Sequence, residues 1–131
     1  MSNYGAKAYQ QTQVVTASKE KILLMLYESC IRNLKKCREA MVARNFSEKG
    51  AALGKAQDII NELCNSLNFD VGGDVARQLE ALYNHIFEQT TQANISNDAA
   101  KVDHCIKIME TLYSGWKEAI EKQTGSGGAK K

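Results

Sequence analysis

From Leu23 onward the apolar residues fall into four trains with helical spacing. In the first, Leu23, Tyr27, Cys30, Leu34, Cys37 and Met41 follow one another at gaps of 4, 3, 4, 3 and 4, the period of one face of an α-helix. Ser18 stands before it as an N-cap, and Glu20 lies in the first turn, where a negative side chain suits the helix dipole. The pattern stops near Arg44-Asn45. A second train, Leu53, Ala56, Ile60, Leu63 and Leu67, follows Ser47 as its N-cap. The third runs through Val75, Leu79, Leu82, Ile86, Thr90 and Ala93. It is preceded by NFDVGGD at 68–74, whose paired glycines between Asn and Asp predict a turn. Ser96-Asn97-Asp98 ends it and caps the fourth train: Val102, Cys105, Met109, Leu112, Trp116 and Ile120. No strand alternation competes with these periods, and no internal repeat aligns. Four amphipathic helices with short connections predict an all-α fold, an antiparallel four-helix bundle over residues 18–122. Residues 1–17 read as a mobile N-terminal segment, able to form a short extra helix packed on the bundle. After Lys122, the glycine-rich residues 123–131 read as a flexible tail of the sort an expression vector adds.

Composition supports the helical reading. The chain has 131 residues, room for one domain, and no Pro, the residue that most often breaks helices. A net charge of +2 gives no electrostatic reason for a nucleic-acid or membrane-surface partner. No apolar run approaches the ~18 residues of a membrane span, so no membrane insertion is expected. The polar start MSNYGAKAYQQ lacks the apolar region of a secretion signal. The expected compartment is therefore the cytoplasm, with Cys30, Cys37, Cys64 and Cys105 as reduced thiols beside the apolar stripes.

Candidate chemistry is sparse. A di-iron bundle needs Glu-x-x-His on two helices, but the residues three before His85 and His104 are Leu82 and Lys101. No C-x-x-C occurs, and Cys30 and Cys37 lie about 10 Å apart along a helix, too far to chelate one ion alone. No metal site and no cofactor are expected. A histidine phosphotransfer bundle is an alternative, with His104 as acceptor and Lys107 one turn away to steady phosphoryl charge. Ile108 stands where such sites keep a small residue and would crowd the phosphorylated ring. The basic run Arg32, Lys35, Lys36 and Arg38, with Glu28 and Glu39 nearby, reads as a solvated, salt-bridged face. There is no Ser/His/Asp set, no phosphate-cradling glycine loop and no carboxylate pair in an apolar setting. The chain is not expected to be an enzyme.

The apolar residues exceed what four stripes need. The run Ile22-Leu23-Leu24-Met25-Leu26-Tyr27 would circle a helix, since successive side chains step by about 100°. Ile31, Ile59, Cys64, Tyr83, Phe87, Ile106, Ile108 and Tyr113 also flank the main stripes. Either the core is thick and a fifth element packs on it, or the surplus forms a groove for another helix or extended chain. Tyr9, Val14 and Val15, in the chain's own N-terminal segment, are an obvious cover.

Particular stretches add a resemblance. AYQQTQVVTASKEKILLMLYES, KAQDIINELCNSLNFDVGGDVARQLEALYNHI and TQANISNDAAKVDHCIKIMETLYSGWKEAI together closely resemble the FliS family of flagellar secretion chaperones. The likeness covers about residues 8–121. It rests on Tyr9-Gln10, Thr16-Ala17-Ser18, Leu23 to Tyr27, Lys55 to Ile60, Gly72-Gly73, Leu82-Tyr83, Gln92 to Asn94 and Trp116, in that order. The chain departs from the family's pattern at Lys19, where Pro is usual, at Glu28-Ser29 and at Asn84-His85. The resemblance implies a cytoplasmic, non-enzymatic export chaperone. Its expected client is the disordered C-terminal segment of flagellin, kept from premature polymerisation and delivered to a membrane protein of the export gate. An anti-sigma factor or a co-chaperone is a further implied partner, and a generic helical adaptor is the plainer alternative. On this reading Leu24, Ile31, Ile59, Ile60, Tyr83, Phe87 and Ile108 are groove candidates, and Tyr9, Val14 and Val15 form a plug. Gly72 and Gly73 shape a turn, and Asn94 is a structural residue that hydrogen-bonds at a helix end or between helices.

Overall fold

The computed structural model describes residues 19–129, with side chains through Gln123; Ser18 and the plug residues Tyr9, Val14 and Val15 lie outside them. Four helices fill the described residues: α1 (Lys19–Ala43), α2 (Phe46–Asn65), α3 (Phe69–Ser96) and α4 (Ala99–Ala129). The first train of apolar residues forms the inner face of α1, where Tyr27, Cys30, Leu34, Cys37 and Met41 are buried. Leu53, Ala56, Ile60 and Leu63 do the same on α2. Helix α4 continues past Lys122, over residues read from sequence as a tail.

Connections of two or three residues force neighbouring helices antiparallel. Helix α1 packs on α2 and α4, and α3 packs on the same two, so the bundle is a ring with α1 and α3 on a diagonal. The antiparallel register shows in cross-helix pairs. Lys35 Nζ meets Glu110 Oε2 at 3.2 Å and Arg38 Nε meets Asp103 Oδ1 at 2.5 Å, so rising numbers on α1 pair with falling numbers on α4. The basic run is thus salt-bridged to α4 rather than to the Glu28 and Glu39 of its own helix. Such half-exposed pairs contribute little net stability.

The helix ends correct two sequence expectations. Asn45, not Ser47, caps α2: its side chain accepts from the Glu48 backbone N–H at 3.2 Å and its amide donates to Glu48 Oε2 at 3.0 Å. The Asn is one residue past the chain reversal at Arg44, which has φ 59°, so it alone is placed to face the first free N–H groups of the helix. The glycine pair does not make the loop either. The turn is Ser66-Leu67-Asn68, Asn68 caps α3 by accepting from Val71 N–H at 3.1 Å, and Gly73 is a kink inside α3 with φ 51° and ψ −123°. Those angles suit glycine and few other residues. The residue before it is confined too, because a Cβ on Gly72 would lie 2.9 Å from the Ala76 Cβ. Asn97 rather than Asn94 carries the side-chain bonds at the end of α3. It takes the left-handed C-cap conformation, donates to the Met41 carbonyl at 3.2 Å and accepts from Lys49 Nζ at 3.3 Å. Asn94 takes part in an inter-helix bond, as expected, but through its backbone carbonyl, which accepts from Lys49 Nζ at 3.1 Å. Lys49 is only 7% exposed, and its ammonium also lies 4.8 Å from the centre of the Phe46 ring, so this buried charge is partnered on several sides.

At the opposite half of the bundle two buried phenols meet. The Tyr27 and Tyr83 hydroxyls hydrogen-bond to one another across the α1–α3 diagonal, and Trp116 Nε1–H on α4 donates to Tyr27 Oη at 3.2 Å. Burial, before any other cause, pushes both phenols above their ordinary pKa. The thiols are packing groups: burial pushes Cys30 up to about 12 and Cys105 up to about 11, which keeps them protonated and unreactive.

The two hydroxyls are not equivalent. Tyr27→Phe strands both the Tyr83 hydroxyl and the Trp116 N–H and is expected to cost about 2–3 kcal/mol, whereas Tyr83→Phe leaves Tyr27 its Trp116 donor and costs about 1 kcal/mol. Urea unfolding of both variants measures this; equal losses would mean that Trp116 contributes nothing through Tyr27.

Candidate functional site

An apolar cleft of ≈ 290 Å³ opens at the end of the bundle where α1 and α3 begin and α2 ends. Its floor is core: Leu63, Ala76, Leu79 and Tyr83 are all buried. Its walls are Leu23 from α1, Leu67 from the α2–α3 turn, Val71 and Val75 from α3, and Trp116 from α4. Val71 and Val75 flank the Gly73 kink and are 85% and 59% exposed. The cap and kink are why they stand there. Asn68 starts a first helical turn, and Gly73 redirects the chain before α3 settles onto α2 and α4. Paired apolar side chains left in water beside an apolar hollow are the mark of a surface built to be covered. The volume sits at the low edge of ligand pockets, about 300–1,000 Å³, and admits a few apolar side chains. Ser66 and Asn68 also line it, and among the described residues no carboxylate or amine side chain does.

The groove candidates from sequence do not converge on this one place. Tyr83 lies in the cleft floor, 2% exposed, with its hydroxyl taken by Tyr27. Ile60 is equally buried and lines none of the clefts described here. Ile31, also buried, floors a different groove of ≈ 490 Å³ between α1 and α4, walled by charge: Glu28, Arg32, Lys35, Lys36, Glu39 and Glu110. Ile108 lines a third, of ≈ 320 Å³, with Leu82, His104, Lys107, Thr111 and Leu112 between α3 and α4. Ile59 and Phe87 are half-buried against the core, Leu24 is half-buried, and none of the three lines these clefts. The Phe87 carbonyl accepts from Thr90 and Thr91 Oγ1, each at 2.9 Å, and Gln57 Nε2 donates to the same hydroxyls at 3.0 and 2.9 Å.

The sequence patterns did not mark Leu67, Val71 and Val75 as lining a common cleft. Val75 was placed on the core stripe of α3, but Ala76 and Leu79 take the inward positions there. The Gly-Gly pair hid the reason, because it was read as a loop while it is a kink that shifts the helical phase of the residues before it. Val71, an apolar residue inside an apparent turn, was the available signal.

Comparison with known proteins gives the chain's family and fold. A family model described as "Flagellar protein FliS" matches residues 1–123. A flagellar secretion chaperone FliS of Vibrio cholerae is 39% identical over 110 residues, covering 84% of this chain and 81% of its own. One from Bacillus subtilis is 32% identical over 125 residues, covering 92% of both. In fold, the chain is similar to a solved structure described as a flagellar chaperone from bacteria, with a TM-score of 0.76 at 24% identity over 93% of this chain and 99% of that one.

The cleft's walls and floor should separate in stability. Val71→Ser and Val75→Ser are expected to change unfolding free energy by less than about 0.5 kcal/mol, and Leu79→Ala to cost about 2–4 kcal/mol. Chemical unfolding distinguishes them; a core-sized loss at Val75 would show a closed cleft.

Proposed function

The chain belongs to the FliS family, and from that premise we propose that it is a flagellar secretion chaperone whose client, the C-terminal segment of flagellin, seats apolar side chains in the cleft between Leu23, Leu67, Val71, Val75 and Trp116. The observation that carries this reading is the exposure of Val71 and Val75 over a buried apolar floor. FliS is a family of chaperones and not of enzymes. No observation favours phosphotransfer: the His104 ring nitrogen is engaged with His85, and Ile108 shares its groove.

The half-buried Leu24, Ile59, Phe87 and Ile108 are proposed as further contacts along the outer faces, which a client wrapping the bundle would reach in turn. Each apolar side chain fully buried contributes about 1.5–3 kcal/mol. Ordering a disordered client opposes this by several kcal/mol, so affinity stays within reach of release. The proposed destination is a membrane protein of the export gate, with an anti-sigma factor or co-chaperone as a further partner. Among the described residues no helix is long and apolar enough to cross a membrane, which suits a chaperone working in the cytoplasm. The proposed plug is the N-terminal segment: Val15 stands four residues before Lys19, where α1 begins one turn ahead of the cleft residue Leu23, and an extended chain covers about 3.3 Å per residue, a reach that supports Val14, Val15 and the more distant Tyr9 as cover for the cleft.

Calorimetric titration with the C-terminal segment of the same organism's flagellin should give one-to-one binding with a negative heat-capacity change. Val75→Asp should weaken it at least about tenfold while the far-ultraviolet circular dichroism is unchanged, since a carboxylate would be desolvated in the complex. Undiminished affinity would remove the cleft from the binding surface. Deleting residues 1–15 should leave a folded bundle that binds as tightly or more tightly; weaker binding would make that segment a client contact instead of a plug.

A further inference from the structure

We propose that His85 and His104 form an exposed two-histidine site for a divalent first-row transition cation of the Ni²⁺, Cu²⁺ or Zn²⁺ type, joining α3 to α4. The two residues come from different helices, 19 positions apart, and their Nε2 atoms lie 3.1 Å from each other. The ring centres are 5.3 Å apart and the planes stand at 89°. Two imidazole nitrogens bound to one ion at about 2.0–2.1 Å each are about 3.1 Å apart when they subtend roughly 95–100°, between the square-planar and tetrahedral values. The nitrogens therefore already have the separation of two adjacent ligands. At least one of the facing nitrogens must carry a lone pair for the present hydrogen bond to exist. If each ring keeps its proton on Nδ1, both lone pairs face one point, and a neutral pair loses no proton in accepting the ion. Both side chains are exposed, so each ring can turn toward a common centre without disturbing the core.

Imidazole pairs select cations of this class over Mg²⁺ and Ca²⁺, which prefer oxygen. Among the described residues no third His, Cys, Asp or Glu completes the site. Water would fill the other positions, leaving them open to a donor from a partner. Lys107 is exposed and lines the same groove as His104. The ion would act as a clip, since it binds the two helices only when they are packed.

The experiment is a titration of the full chain with Ni²⁺ alone, which does not oxidise thiols as Cu²⁺ does, for the wild type, His85→Gln, His104→Gln and Cys64→Ser. One equivalent should bind to the wild type and to Cys64→Ser, with affinity falling at least tenfold in each histidine variant. The thermal midpoint should rise with Ni²⁺ in the first two proteins and not in the last two. Unchanged binding in the histidine variants, loss in Cys64→Ser, or no binding at millimolar Ni²⁺ would each overturn the proposal.

Discussion

The contact between the Tyr27 and Tyr83 hydroxyls holds the bundle in one arrangement. In a ring of four helices, neighbours share long apolar faces, and those faces tolerate sliding because apolar contact has no direction. The diagonal pair α1 and α3 has no close backbone approach to fix it. Two phenols buried there must find partners or lose the hydrogen bonds they made in water, and they find each other, with Trp116 joining from α4. A slip of one helical turn, about 5.4 Å, would break the set. Three helices are thereby locked in register by directional bonds, and α2 follows because it packs between α1 and α3.

That lock also sets where a binding surface can exist. Tyr83 and Trp116 belong both to the hydrogen-bonded set and to the lining of the cleft. The floor is therefore rigid where a purely apolar floor could collapse to fill the hollow. The two ends of the bundle differ for a related reason. At one end Lys49, the Asn94 carbonyl, Asn97 and the Met41 carbonyl knit the α1–α2 and α3–α4 turns together, sealing the core under polar bonds. At the other, the Asn68 cap and the Gly73 kink lift the first turn of α3 out of ideal phase, and apolar walls stand open.

The fold was legible because period and length are local properties. The α1 stripe from Tyr27 to Met41 is buried throughout, and so is the α4 stripe at Val102, Cys105 and Met109. Residues at junctions were less legible. Ser47 and Asn45 are both good caps in isolation, and only the backbone reversal at Arg44 decides between them. The glycine pair has one composition and two uses, a loop or a kink, and the choice depends on how Ala76 and Leu79 pack. The same problem affects the groove candidates. Tyr83 and Phe87 look alike as surplus apolar residues, yet one is in the core and the other half-exposed, since burial is set by a neighbouring helix that no local pattern reveals. The histidine pair was invisible for the plainest reason: residues 19 apart have no sequence relation until α3 and α4 fold back on each other.

A cleft of this size cannot by itself hold a client for long. It admits a few side chains, each contributing about 1.5–3 kcal/mol when buried, against the cost of fixing a disordered segment. Tight capture by the proposed mechanism must therefore draw on separated patches, for which the further contacts proposed above are the candidates. Leu24, Ile59, Phe87 and Ile108 are half-buried at different places around the bundle, each too small to bind alone. Contacts linked by a flexible chain reinforce one another through effective concentration, and each can also open independently. A client held this way is retained strongly in equilibrium yet can be peeled off one patch at a time, which no single deep pocket of equal total affinity would permit.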